Sequence, residues 1–297
     1  MNPRLVGVST LGVFLCVAAS AAAQGNGNAY GKNKNTKPPV TSTSDSTSSA
    51  SGPSAAAEFG GTIPGTGIRN FGAWLDDASM MAPGQGYVGF GFGFWKMPGY
   101  REVDIPTIDA GYGVHKRVQV GASLPFYHAS EPGGPMASGM GTLYLNAKIQ
   151  LRDPSNGGPG FSVTPAIEVL STAPVGGDRL SVALPVSIEL QRTGWRAYGS
   201  TGYFSRGALF ASGAIEKTLT ERVWITGSLT HAYSMDPDPL SVALGLSQTH
   251  TDVNGGVAFI VRDGIAAYSS LGRTISKKDA NSADLMFSAG VSFSFLQ

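Results

Sequence analysis

Phe287-Ser288-Ala289-Gly290-Val291-Ser292-Phe293-Ser294-Phe295 alternates without a break, with apolar residues at the odd positions and serine or glycine at the even ones. A period of two describes a strand with one apolar and one polar face. In a soluble protein the apolar face would lie on a core. Here the same pattern recurs upstream again and again, and no stretch of 3.6 periodicity supplies a helical layer to cover it. A chain of strands with uncovered apolar faces fits a closed antiparallel barrel whose outside is lipid and whose inside is polar. An exported β-sandwich or jelly roll shares the alternation and is the soluble alternative. Strands of roughly ten residues, suited to a tilted crossing of ~25 Å, favour the transmembrane barrel.

Working outward from that stretch, strands are expected at 87–96, 103–115, 118–127, 141–152, 161–170, 180–191, 195–204, 208–217, 223–233, 252–261 and 265–275. With the closing stretch this makes about twelve, and bacterial single-chain barrels have even counts. Short connections at 115–117, 192–194, 218–222 and 262–264 then fall on the periplasmic side. Longer ones at 130–139, 171–179, 237–249 and 276–283 fall outside, as the class requires. The connections at 153–160 and 205–207 break the trend, and a strand over 240–246 would shift the count.

At the other end of the chain, Arg4 precedes an apolar run over 5–19 and then Ala21-Ala22-Ala23-Gln24. A positive charge, a short apolar core and a small-residue site describe a secretory signal peptide over 1–23, too short for a spanning helix of ~20 residues. Cys16, the only cysteine, lies within it and follows Phe14-Leu15, which argues against a lipoprotein site. Residues 24–57 are an Asn/Gly/Lys tract followed by a Ser/Thr tract. With so few apolar residues they are expected to be a disordered periplasmic segment. Residues 58–83 read as a transition, or as a plug lying in the barrel mouth, and 84–297 as the outer-membrane barrel.

The net charge of +1 and the 14% content of charged residues carry no basic footprint for nucleic acid. His115, His128, His231 and His250 show no metal-ligand spacing, and no nucleophile elbow or phosphate-cradling loop is present. No catalytic residue, cofactor or metal is expected. An outer-membrane lipid-modifying enzyme with a rim Ser and His is the least favoured reading. The ionisable residues placed on the polar faces by alternation are Asp109, Lys148, Arg152, Glu168, Glu189, Arg196, Glu216 and Asp252. Such groups at membrane depth face the interior, where they pair or line a pathway. Lys148 and Glu168, on adjoining strands, are the expected ion pair. Asn146→Arg is expected to be tolerated on the polar face, where Ala147→Arg is not. Glycines on the first three strands leave room along one wall.

Ser288, Gly290, Phe293 and Phe295 resemble the terminal signal by which outer-membrane barrels are recognised by their insertion machinery, although Leu296 and Gln297 follow the aromatic. A second resemblance lies in Gly111-Tyr112-Gly113-Val114-His115-Lys116-Arg117-Val118-Gln119-Val120-Gly121-Ala122-Ser123-Leu124-Pro125-Phe126-Tyr127. Ser138-Gly139-Met140-Gly141 and Asn146-Ala147-Lys148-Ile149-Gln150-Leu151-Arg152 continue it. Together these resemble the outer-membrane family labelled for the meta-pathway of phenol degradation. The resemblance implies a barrel in the bacterial outer membrane that moves small, hydrophobic or aromatic, solutes. It carries over no catalytic residues. The alternative is a non-transporting structural or surface-interaction barrel. The expected partners are outer-membrane lipid, the insertion machinery and a small-molecule solute.

Overall fold

The computed structural model describes residues 75–130, 137–154, 158–170, 179–205, 207–235, 242, 246–279 and 282–296. The expected signal peptide, the expected disordered segment and residues 58–74 lie outside the described residues, as does most of 240–246.

Twelve staves are named here in chain order. They are β1 (Gln85–Met97), β2 (Tyr100–His115), β3 (Val118–Ser130), β4 (Ala137–Met140 with Leu143–Arg152), β5 (Gly160–Val163 with Ala166–Val169) and β6 (Leu180–Arg192). After them come β7 (Trp195–Phe204), β8 (Ala208–Thr220), β9 (Val223–Ser234), β10 (Thr249–Arg262), β11 (Ile265–Thr274) and β12 (Leu285–Leu296). Each pairs antiparallel with the next, and β12 returns to β1, from Gln85 opposite Leu296 to Lys96 opposite Leu285. The result is a closed twelve-stranded antiparallel barrel without a free sheet edge.

Staves β4 and β5 are each interrupted for the same reason. Proline has no N–H and is normally kept out of a central strand. Pro125, Pro165 and Pro185 stand where the two staves break, and serve only as acceptors: their carbonyls take the N–H groups of Gly141, Ala147 and Thr164. The connection expected over 130–139 is shorter than its composition indicated, because Ala137–Met140 pairs with β3.

The connections sort the two ends. At one, here the turn end, β2–β3, β6–β7, β8–β9 and β10–β11 are joined by two-residue turns, and β1 begins and β12 finishes there. At the other, the loop end, lie most of the long connections, with tight turns only at 98–99 and 205–207.

The burial of the wall is inverted relative to a soluble protein. On β12, Phe293 and Phe295 are 43% and 45% exposed, while Ser288 and Ser292 are 0% and 1% exposed. On β6, Val182, Leu184, Val186 and Ile188 face out, while Ser181, Ser187 and Glu189 are buried. An apolar outer band around a polar interior is what lipid outside and closed hydrogen bonding inside select.

Candidate functional site

The lumen holds a length of chain. Residues 75–84 leave the turn end, pass inside the barrel and run along the wall from β2 to β8. Leu75, Asp76, Asp77, Ala78, Ser79, Met80 and Met81 are all buried. The segment enters through a turn in which Ala82 accepts the Gln85 N–H and Gly84, at φ 82°, donates to Gly113 of β2. A side chain at Gly113 would collide with the Ala82 carbonyl, and one at Gly111 with Tyr87 and Met81. The room expected beside these glycines is therefore filled, by the segment and by the Tyr87 ring. Trp95 likewise lies over Gly93.

The segment is tied down by neutral hydrogen bonds and by charge. Gln119 of β3 accepts the Met81 N–H at 3.0 Å, and Gln150 of β4 donates to the Ala78 carbonyl at 2.9 Å. Ser162 donates to the Asp77 carbonyl, Thr164 to the Asp76 carboxylate, and Ser200 of β7 accepts the Asp76 N–H. The Lys148 ammonium on β4 lies 2.7 Å from Asp76 Oδ1 and 2.9 Å from Asp77 Oδ1. Arg196 on β7 reaches the other oxygen of Asp77 at 2.8 Å and Glu189 of β6 at 3.3 Å. Its remaining donors fork onto both oxygens of Glu216, which stands directly opposite on β8. The guanidinium also lies 4.4 Å from the centre of the Tyr198 ring. Glu189 further accepts the Ala78 N–H, the Ser79 hydroxyl and the Gln191 amide.

Two cations thus face four carboxylates, every one of them buried. Taking these ions out of water is costly, and such pairs persist only where the geometry is good and the leftover lone pairs are filled. The hydroxyl, amide and backbone donors around Glu189 and Asp76 do that filling. A cavity of about 150 Å³ beside Arg196 and Glu216, lined also by Gln191 and Thr218, reaches the network from the turn end.

Of the residues selected by alternation, Lys148, Glu189, Arg196 and Glu216 meet in this network. Asp109, on β2 between Gly89 and Ser123, is inward and buried. Glu168 is inward and opposite Tyr144, so it is not the partner of Lys148; the entering segment supplies that partner instead. Asp252 binds His250 at 2.8 Å and Thr274 at 2.8 Å inside the loop end. His250, between the connection expected over 237–249 and the strand expected over 252–261, is a residue of β10. Arg152 differs from expectation. The ladder shifts register between Gln150 and Arg152, which ends the alternation, and Arg152 is exposed at the turn end. Asp76 and Asp77 were missed. Their only sequence signal is an acidic pair in an otherwise Ala-, Gly- and Met-rich stretch before the first strand.

Among the polar inward residues, such as Thr226, Ser228, Asn254, Ser270 and Ser288, lie several apolar clusters. At the loop end, Tyr144, Ala166, Ala183, Phe204, Ala208, Phe210 and Ala232 form one cluster. At the turn end, Trp224, Ala258, Ile260, Ala266 and Tyr268 form another on β9–β11, the wall away from the segment. Among the described residues no three His, Cys, Asp or Glu side chains converge as metal ligands.

No protein-family model and no curated protein matches the chain. Solved structures do. An outer membrane channel from Pseudomonas putida F1 is similar at 12% identity, over 74% of this chain and 98% of that one, with a TM-score of 0.58. The KdgM porin in complex with disordered oligogalacturonate is similar at 9% identity over 70% and 99%, with a TM-score of 0.48. The CymD monoaromatic hydrocarbon channel is similar at 10% identity over 73% and 89%, with a TM-score of 0.42. At such identity the first likeness shows a shared fold alone, the closed antiparallel β-barrel of outer-membrane proteins. The two weaker ones add nothing to it.

Proposed function

We propose that the chain is a channel of the bacterial outer membrane that passes small apolar solutes, aromatic ones among them, through a lumen held closed by residues 75–83. The observation that carries this reading is the ion network joining Asp76 and Asp77 to Lys148 and Arg196 across the interior. A wall that existed only for stability gains little from buried ion pairs, since apolar residues of similar volume do as well or better. Charges that clasp a separate length of chain give that segment two arrangements, docked and released. The solute class is supported by apolar clusters at both ends of the lumen, those of Tyr144 and Phe204 and of Trp95 and Met286 at the loop end and that of Trp224 and Tyr268 at the turn end, the last lying on the wall that the segment leaves bare.

The test is conductance in a planar bilayer. Asp76→Asn combined with Asp77→Asn removes the countercharges of Lys148 and weakens the clasp. The double variant is expected to show longer or larger openings than the parent chain, and faster swelling of liposomes in a small aromatic solute. Unchanged closed behaviour, with the variant folded, would favour the second reading, a non-transporting barrel. That reading draws on the burial of inward side chains on every stave.

Assembly is proposed to depend on the closing strand. Phe293 and Phe295 lie on the lipid face of β12, which seals the barrel against β1. Phe295→Ser is expected to lower the amount of heat-modifiable barrel in the outer membrane while leaving export untouched. Parental levels of the folded band would count against recognition through this strand.

A further inference from the structure

At the loop end, on the outer surface, four adjacent staves bring one cross-strand row together. Lys96 of β1 is opposite Leu285 of β12 on one side and Arg101 of β2 on the other. Gly272 of β11 is opposite Met286, which sets Arg273 beside Leu285 one step further along. The neighbours Trp95, Glu102, Thr274 and Met286 are buried inside, so all four residues of the row face outward. Lys96, Arg101 and Arg273 are exposed. With strands ~4.8 Å apart, the row spans roughly 15 Å.

Lys278 of the last connection adds a fourth cation, 2.5 Å from Asp284. The hydrogen bond from Lys278 holds the Asp284 carboxyl below the usual carboxylate range, and Lys96 and Arg273 act on it in the same direction. Asp279, in the same connection, is turned instead toward Ser247 and Ser282. Among the described residues, Asp284 and Asp279 set two carboxylates against the four cations Lys96, Arg101, Arg273 and Lys278, and the patch is left positive.

Directly below the row the same staves are apolar. Leu271, Phe287, Phe94 and Val103 form the next outward row, and Val291, Phe90 and Ile108 lie beneath it. Phe92 packs on Phe287 and Phe90 on Phe293, with ring centres 6.0 Å and 6.4 Å apart. A cationic row at headgroup height over an aromatic slab at acyl-chain height matches a lipid with an anionic head.

We infer that this wall binds a phosphate-bearing lipid of the outer leaflet, its phosphate on Arg273, Lys96 and Arg101 and its acyl chains on the phenylalanine slab. The inference rests on the outer-membrane placement proposed above and on the expected orientation with the longer connections outside. Two guanidinium groups flanking an ammonium suit the purpose, because arginine grips phosphate through paired donors and lysine adds a point charge. The apolar slab selects a lipid over a free anion.

The purified full chain in detergent is offered bis-phosphorylated lipid A, the same lipid dephosphorylated, or inorganic phosphate, and bound lipid is read by native mass spectrometry. The phosphorylated lipid is expected to be retained selectively and not displaced by excess inorganic phosphate. The K96Q/R101Q/R273Q variant should weaken its binding on the order of a hundred-fold, about five-fold per cation. R222Q/R262Q, at the turn end, should leave it unchanged. Equal retention of both lipid forms, equal loss in the two variants, or displacement by inorganic phosphate would overturn the inference. Heat-modified migration checks that the triple variant is folded, and the charge-keeping K96R/R101K/R273K should retain the lipid. Cell fractionation tests the placement separately. A chain absent from the outer membrane ends the channel reading, whereas one present there without phosphate selectivity ends only this inference.

Discussion

Replacing Arg196 by alanine is expected to destabilise the folded barrel by roughly 3–5 kcal/mol, the cost of removing one partner from a buried ionic cluster. The guanidinium serves three carboxylates, Asp77, Glu189 and Glu216, and all of them are buried. Without it they repel one another in a confined space, with Lys148 as the nearest cation to Asp77. The loss is read as a lower denaturant midpoint for the heat-modifiable band. Conductance is expected to rise in the same variant, because the clasp on Asp77 opens. Arg196→Lys keeps the charge and loses the fork onto Glu216, so it should fall between the two. An Arg196→Ala barrel as stable and as closed as its parent would mean that the network neither holds the segment nor supports the wall.

Ala147→Arg is expected to cost ~2–4 kcal/mol through a different route. Ala147 faces lipid on β4, and a guanidinium near the bilayer midplane of a barrel wall must be dragged out of water. The neighbouring Asn146→Arg bears on how the lumen is filled. The alternation alone makes the inner face look tolerant of a long polar side chain. Asn146 is in fact buried, so the added volume is expected to strain the packing by ~1–3 kcal/mol. The two variants are told apart by solvent. Ala147→Arg should fold in detergent and fail in bilayers, whereas Asn146→Arg should be impaired in both. Full stability of Ala147→Arg in bilayers would refute the assignment of faces.

The strands themselves were legible in the sequence because a strand wall is a one-dimensional code. Each residue points in or out, and alternation over β6 or β12 writes the faces directly. The sorting of short turns to one end and most long connections to the other also followed from the spacing of the strands. Legibility failed where the backbone departs from that code. Arg152 sits past a register shift, and the 137–140 segment pairs beyond a stretch whose Gly and Pro content reads as loop. Residues 75–83 have no period at all, since a chain lying inside a barrel is covered on every side and has no single face to mark.

The amino-acid sequence by itself determined the antiparallel strands and most of their apolar outward-facing and polar inward-facing sets. Periodicity is local and needs only the pleat of the chain to be read. The tertiary structure alone decided which charges meet. Lys148 is separated from Asp76 by 72 positions and Arg196 from Asp77 by 119. Nothing in a local pattern links residues so far apart. Closure of β12 on β1 and the path of one short segment through the lumen bring them within hydrogen-bonding distance, and burial there turns scattered charges into a clasp.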